Sequence, residues 1–192
     1  MIDTKAFDKL IADRRSVYPK QYNGVPVDDS IVTQMLENAN WAPTHGLTEP
    51  WRFVVFSGEA LGRLADFFQA VYKETTPTEN FDEGKYQKQR DNVLQSSHVV
   101  AIIMKRQETG KIPEVEEVCA VACAVQNMWL TATAYGVGCY WSTGGPTFKP
   151  QGKAYFGLGE QDKLLGFMYI GNYDGDLPAG KRKSIEDKVQ KG

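Results

Sequence analysis

This sequence of 192 residues has few histidines and cysteines and a small net charge. It has 2 histidines and 3 cysteines, and 22 basic residues against 24 acidic ones leave a net charge of -2. A chain with no excess of basic residues lacks the electrostatic footprint of a nucleic-acid-binding protein, and it has no acidic block of the kind that forms a solvating tail. The expected partner is therefore a small molecule or another protein, and no nucleic acid.

The three cysteines, Cys119, Cys123 and Cys139, are an odd number for a chain of this size. They favour reduced thiols in the cytoplasm over a disulfide framework, and we interpret them as packing residues. Cys119 and Cys123 are four residues apart and could be metal ligands on a helix, but only His45 and His98 are available to complete such a site. No metal site is predicted.

Long apolar runs are also missing. The longest strongly apolar stretch, Val99 to Met104, is far shorter than the roughly 20 residues needed to cross a bilayer. The first fifteen residues contain acids in a helical rhythm and not the basic and apolar regions of a secretory signal. These features predict a soluble cytoplasmic protein that folds as one domain over residues 1–192, with no membrane partner.

Apolar spacing and capping residues predict the first two helices. Asp3 or Thr4 can cap a helix that ends near Arg14, Arg15 and Ser16, and Asp28 can cap a second helix that runs toward Pro43. The polar triplet 14–16 is thus expected at the junction between a helix and a loop.

The remaining pattern mixes helices and strands at uneven intervals. It predicts a short buried strand at 52–56, a helix near 61–72, a mobile or weakly helical segment at 75–90, a central strand at 98–105, a long helix at 114–135, a strand at 139–142, a short helix at 150–156 and a strand at 163–170. The uneven spacing favours the α+β class over a regular βαβ array.

The helix at 114–135 is apolar nearly all round. Gln126 and Asn127 near its middle argue against a membrane span, so we expect it to be buried by its own domain and by a second subunit.

Two glycine-containing segments resemble phosphate-binding motifs but do not match them. The segment from Gly145 to Ala154 has the wrong spacing for a P-loop and lacks the final hydroxyl. The segment Gly136-Val137-Gly138 has Trp141 where a dinucleotide fingerprint needs its third glycine.

Four separate segments share a chemistry suited to a phosphorylated aromatic cofactor. Guanidinium forks bind phosphate bidentately, hydroxyl and N–H groups fill the remaining acceptors, and flat apolar side chains accept a conjugated ring. The segments are Arg14-Arg15-Ser16; Trp41-Ala-Pro43-Thr-His45 with Glu49-Pro-Trp51; Tyr140-Trp141-Ser142-Thr143-Gly-Gly145; and Lys181-Arg182-Lys183-Ser184.

In this order, R-R-S, then A-P-[ST]-x-x-x-x-[QE]-P-W-R-F, then W-x-T-G, then K-R-K-x-[IL]-E, the segments resemble the nitroreductase family of FMN enzymes, especially its shorter-chain subgroup. The resemblance covers nearly the whole chain. It implies a mixed central sheet flanked by helices, two intertwined chains in a homodimer, and two FMN molecules in the dimer interface, each bound by residues of both chains. It also implies electron transfer from NAD(P)H to a small electron-poor acceptor, such as a nitroaromatic or a quinone, by a ping-pong mechanism.

The resemblance assigns roles to the four segments. Arg14, Arg15 and Ser16 would hold the FMN phosphate and ribityl chain, and Arg182 would return to the phosphate. Trp41, Pro43 and His45 of the partner subunit would cover one side of the flavin, and Trp141, Ser142 and Thr143 would line the other. No side chain is assigned as a catalytic acid or base.

The residues leave alternatives for several of these roles. His45 could bond its own backbone, Trp141 could be a core residue, and Arg182 could be an ordinary solvated charge. The chain also has Leu47, Glu49 and Tyr18 where the commoner family pattern has Asn, Gln and Arg. A flavin-binding redox sensor, or a relative with dehalogenase or enone-reductase activity, remains an alternative.

Overall fold

The computed structural model describes residues 3–192; Met1 and Ile2, the start of the segment tested above for a secretory signal, lie outside it. The described chain forms six α-helices and four β-strands, which confirms the α+β class. In chain order they are α1 (Thr4–Asp13), α2 (Asp29–Ala39), β1 (Trp51–Ser57), α3 (Glu59–Thr75), α4 (Glu83–Leu94), β2 (His98–Met104), α5 (Glu114–Ala134), β3 (Gly138–Ser142), α6 (Pro150–Tyr155) and β4 (Lys163–Gly171).

The four strands form one sheet in the order β1-β2-β4-β3, and every neighbouring pair is antiparallel. Within residues 3–192 the single parallel pairing is an isolated bridge between Ser16 and Cys139, beside β3. The mixed character expected of the sheet is thus limited to that bridge.

Strand β2 lies inside the sheet and all seven of its residues are buried, as predicted for a central strand. Val100, Ile102 and Met104 belong to a core shared with α2 and α5, whereas Val99 and Ile103 belong to a second core shared with α3. Because both faces of this strand are covered, its sequence is a continuous apolar run and not an alternation.

The predicted helix caps are present. The Asp3 carboxylate accepts hydrogen bonds from the backbone N–H groups of Lys5 and Ala6, and the Asp28 carboxylate accepts one from Ser30. These bonds satisfy N–H groups that have no partner inside a helix, and so they fix where α1 and α2 begin. Arg14 is the C-cap of α1, which places the triplet 14–16 at a helix-to-loop junction, as expected.

One local prediction is wrong and another is only partly right. Strand β1 was expected to be buried, but it lies at the edge of the sheet, and Val54 and Val55 are 38% and 40% exposed. The segment expected to be mobile or weakly helical contains the regular helix α4, which Asp82 caps by accepting a hydrogen bond from the Lys85 N–H. An ion pair between Arg90 and Asp66 joins α4 to α3. Capping and packing thus order a helix that has no strong apolar stripe.

Helix α5 buries one side and exposes the other. Val121, Val125 and Met128 are in the core, but Val115 is 64% exposed and Cys119 and Cys123 are exposed. The expectation that all three cysteines pack internally is therefore wrong for Cys119 and Cys123 within a single chain, and is confirmed for the buried Cys139. In the described part of the chain, no helix is long and apolar enough to cross a membrane.

Candidate functional site

Arg14 lies against α5 at the end of α1. Its guanidinium carbon is 4.6 Å from the centroid of the Trp129 ring, within cation–π range, and the Trp129 indole donates a hydrogen bond to the Arg15 carbonyl at 3.1 Å. Burial lowers the pKa of Arg14, and the nearby charges of Arg182 and Arg15 lower it further. The structure therefore brings together the three arginines that the sequence placed around a phosphate.

Arg15 holds the C-terminal tail close to α1. Its side chain donates to the carbonyl oxygens of Pro178, at 3.1 Å, and of Ala12 and Arg14. A Cβ atom on Gly180 would lie 2.5 Å from an Arg15 guanidinium nitrogen, so a larger residue there would push the Arg15 side chain aside. This contact returns residue 182 to the first helix, although the two are distant in sequence.

The guanidinium groups of Arg14, Arg15 and Arg182 have no carboxylate within ion-pair distance in residues 3–192. Three like charges close together repel one another, and an anion placed between them would relieve that repulsion. The donor set is therefore suited to a phosphate.

Ser16 starts a segment that runs beside β3. It forms the parallel bridge with Cys139, and the Val17 N–H donates to the Cys139 carbonyl at 2.9 Å. Two residues later, the Tyr18 ring packs on Tyr140 with 4.5 Å between ring centroids. The segment thus leads from the arginines to the aromatic side chains on one face of β3.

A cavity of about 640 Å³ opens at this end of the segment. Tyr140, Ser142 and Tyr169 supply its sheet side, and Gln89 and Asn92 supply part of the opposite wall from α4. Burial, with a smaller contribution from Tyr140, raises the pKa of Tyr169 well above its usual value, so its phenol remains neutral. The sequence revealed neither residue, because Gln89 lies in the segment 75–90 that was interpreted as mobile or weakly helical and Asn92 lies just beyond it. The Asp82 cap was the signal that could have revealed their helix.

The three residues predicted at the end of β3 have different environments. Ser142 lines the cavity, and its hydroxyl accepts a hydrogen bond from the Gly144 N–H at 3.2 Å. Trp141 packs against the core shared with α5 and donates to the Leu165 carbonyl at 3.0 Å. Thr143 is exposed just after the strand. Successive side chains on a strand point to opposite faces, so Trp141 does not line the cavity that contains Ser142.

The glycine turn after β3 contacts α4 closely. Gly145 has a φ of +63°, and a Cβ atom there would lie 3.1 Å from the Gln89 side-chain oxygen. The left-handed conformation and the short distance both favour glycine at this position.

The predicted flavin contacts Trp41, Pro43 and His45 lie away from the arginines and the cavity of the same chain. Trp41 is 85% exposed, and the His45 imidazole bonds the Glu116 carboxylate at 2.5 Å, and not its own backbone. Pro43 and His45 border a shallow surface depression beside Cys119 and Cys123.

The length of α5 gives the distance between the loop that contains His45 and the arginines at the end of α1. Glu116, which contacts His45, precedes Trp129, which contacts Arg14, by thirteen residues. At 1.5 Å per residue the two points are roughly 20 Å apart along the helix. A single chain therefore does not bring Trp41, Pro43 and His45 to the arginines and the cavity.

The chain is similar to known proteins over most of its length. The nitroreductase family profile matches residues 11–172. A relative named "Putative NAD(P)H nitroreductase YdjA", from Escherichia coli, is 33% identical over 130 residues, which are 68% of this chain and 69% of the relative.

Two solved structures share the fold. The nitroreductase-like family protein from Bacillus cereus has a TM-score of 0.79 at 24% identity and covers 99% of this chain and 97% of its own. The FMN-dependent nitroreductase NfnB from Mycobacterium smegmatis, solved with NADPH, has a TM-score of 0.76 at 19% identity and covers 98% and 99%. With the family profile spanning most of the sequence and the fold shared over nearly all of it, this chain belongs to the nitroreductase family of oxidoreductases.

Proposed function

We propose that this protein is an FMN-dependent enzyme that takes electrons from NAD(P)H and passes them to a small electron-poor acceptor, such as a nitroaromatic or a quinone. The observation that carries the proposal is the continuous path from three unpaired arginines, past Ser16, to a cavity lined by tyrosines and amides. A second support is the structural neighbour from M. smegmatis, which is described as FMN-dependent and was solved with NADPH.

At one end of this path, Arg14, Arg15 and Arg182 would bind the FMN phosphate. Guanidinium groups offer planar pairs of donors that match phosphate oxygens. Arg15 already uses its side chain on three backbone carbonyls, so we assign it mainly the task of holding the tail, and assign direct phosphate contact to Arg14 and Arg182. The Ser16 hydroxyl would add a donor near the ribityl chain.

At the other end, the flavin ring would enter the cavity beside Tyr18, Tyr140 and Ser142. Tyr18 is four positions after Arg14 in the chain, and an extended chain of that length spans at most roughly 14 Å. A phosphate joined to a ring through a ribityl chain can follow such a path. The Gln89 and Asn92 amides could then bond the polar edge of the ring, while Trp141 would support β3 from behind.

The remaining predicted residues would come from a second subunit. If α5 of two chains crosses antiparallel about a two-fold axis, the His45 end of one helix meets the Arg14 end of the other. An isologous contact of this kind completes two equal sites, each with Trp41, Pro43 and His45 of the partner subunit over the flavin. It would also cover the exposed Val115, Cys119 and Cys123. We therefore propose a homodimer.

A bound FMN would supply the two-electron redox chemistry that links the dihydronicotinamide to the acceptor. The protein would hold the ring, keep one face accessible and bind the two substrates in turn, which gives ping-pong kinetics. No side chain of the chain needs to act as an acid or base in this scheme. Free thiols and the use of reduced nicotinamide cofactors favour the cytoplasm as the place of action.

Two alternatives use the same cavity. A relative with dehalogenase or enone-reductase activity would bind FMN in the same way, and a redox sensor would bind it without efficient turnover. The NAD(P)H nitroreductase name of the E. coli relative favours reduction of a nitroaromatic or a similar acceptor.

The experiment has two steps. The visible spectrum of the purified protein is recorded, and the cofactor released on denaturation is identified by chromatography; we expect FMN. NADPH and NADH oxidation is then followed with a nitroaromatic, a quinone, a halogenated phenol and an enone. Fast oxidation with the first two supports the proposal, whereas a colourless protein that takes up no FMN contradicts it.

A further inference from the structure

A second group of positive charges lies beside the cavity, away from the arginines. Lys85 and Lys88 line it from the first turns of α4, three residues apart and so on one face of the helix. Lys20 lines it from the turn that follows Tyr18. The cavity is therefore bordered by ammonium groups on two sides.

These charges are not neutralised by the protein. Within the described residues, Lys20, Lys85 and Lys88 form no ion pair, and Asp91 is the single acid among the residues that line the cavity. Three ammonium groups against one carboxylate produce a positive potential at the cavity mouth, which attracts an anion.

The proposed FMN does not account for this potential. FMN has one phosphate, and Arg14 and Arg182 lie at the far end of the segment that leads to Tyr18. Lys20 follows Tyr18 in the chain, so the lysines lie near the ring end of the path. The oxidised flavin, which is the form that receives the electron donor, has a neutral ring. With its phosphate on the arginines it therefore offers no anion to the lysines at the moment the donor binds.

We infer that Lys20, Lys85 and Lys88 bind the phosphate groups of the reduced nicotinamide dinucleotide while its nicotinamide lies against the flavin. The inference rests on the proposed function and specifies how its electron donor is recognised. A dinucleotide is a polyanion that can engage lysines on both sides of the mouth at once, whereas an acceptor with a single carboxylate engages one of them.

Each exposed lysine contributes little by itself, so the test removes two. The double variant Lys85→Gln/Lys88→Gln is compared with Arg63→Gln/Lys111→Gln, which removes two exposed charges that lie outside the cavity lining. Three hydride donors are used with one neutral quinone: NADPH, NADH and 1-benzyl-1,4-dihydronicotinamide, which has no phosphate. FMN content is measured for each protein.

For the Lys85→Gln/Lys88→Gln variant we expect kcat/KM to fall about tenfold or more with NADPH and NADH at low ionic strength. We expect a change of less than about twofold with the benzyl donor and no loss of FMN. Added salt should reduce the difference from the wild type, because it screens the lysines. A larger fall with NADPH than with NADH would support the inference and assign a lysine to the 2′-phosphate.

Other results overturn the inference. An equal fall with all three donors would show that the lysines shape the cavity and do not bind phosphate. Unchanged kinetics with the dinucleotides, or a fall that appears only when an anionic nitroaromatic replaces the quinone, would remove the dinucleotide from this site. In each of these cases the wild type still oxidises NADPH or NADH, so the proposed function stands; a wild type that neither dinucleotide reduces would overturn both.

Discussion

The guanidinium group of Arg14 packs on the indole of Trp129, with 4.6 Å between the guanidinium carbon and the ring centroid. This contact fixes a cation from α1 on the surface of α5, while Arg15 and Arg182 lie close enough to lower its pKa. Holding three like charges together costs free energy unless an anion binds between them. In the proposed function, this contact would prepare the phosphate site before any phosphate is present.

Added FMN should raise the melting temperature. At free FMN about one hundred times its dissociation constant, binding contributes about 2.7 kcal/mol to the free energy of unfolding. For a chain of this size that corresponds to a rise of about 5–10 °C. Calorimetry or dye-based melting measures it; an unmoved melting curve at saturating FMN would show that the cofactor assignment is wrong.

The protein should sediment as one species near twice 21.5 kDa. The exposed side of α5 is the proposed contact, so Cys123→Arg should place a charge in the interface, produce monomers and release FMN.

Ala70→Arg is the matched control for this variant, since Ala70 is exposed on α3, which packs on the opposite face of the sheet. It should remain dimeric and yellow. A Cys123→Arg monomer that still binds FMN with the affinity of the wild type would exclude a site shared between two subunits.

Arg106→Ala should destabilise the fold. Arg106 forms an ion pair with Glu117, whose side chain is 1% exposed, and removing the arginine leaves a buried carboxylate without its partner. The expected loss is about 3–5 kcal/mol in the free energy of unfolding, measured with urea. Arg63→Ala, at an exposed position, should change it by less than about 0.5 kcal/mol. Equal stability of the two variants would show that the buried pair contributes nothing.

This ion pair also shows what the sequence could not reveal. Arg106 follows a strand and is outside every motif, so it looks like a solvated residue. Glu117 looks like an ordinary acid in the first turn of a helix. Only the packing of α5 on the end of β2 brings the two together in the core, and neither capping nor periodicity reports such a contact.

Features governed by local chemistry were predictable. Asp3 and Asp28 located the starts of α1 and α2, and the continuous apolar run located β2. The edge position of β1 was not predictable from the sequence, because the burial of a strand depends on its neighbours in the sheet.

In the candidate site, too, some residues were predictable from the sequence and others were not. The sequence identified Arg14, Arg182 and Ser142, which the structure places at the two ends of one path. It missed Gln89 and Asn92, since a polar helix without a strong apolar stripe resembles a mobile segment. The roughly 20 Å between the loop residues and the arginines is a property of the length of α5 and is visible only in the fold.

The most direct test of the central claim is the FMN affinity of Arg14→Ala, measured by fluorescence quenching at one ionic strength beside Arg63→Ala. Losing a charge-assisted bond of about 1.5–3 kcal/mol should weaken FMN binding about ten- to more than a hundredfold, while Arg14→Ala remains folded and Arg63→Ala keeps the affinity of the wild type. Equal FMN affinity in Arg14→Ala and Arg63→Ala would contradict a phosphate site at Arg14.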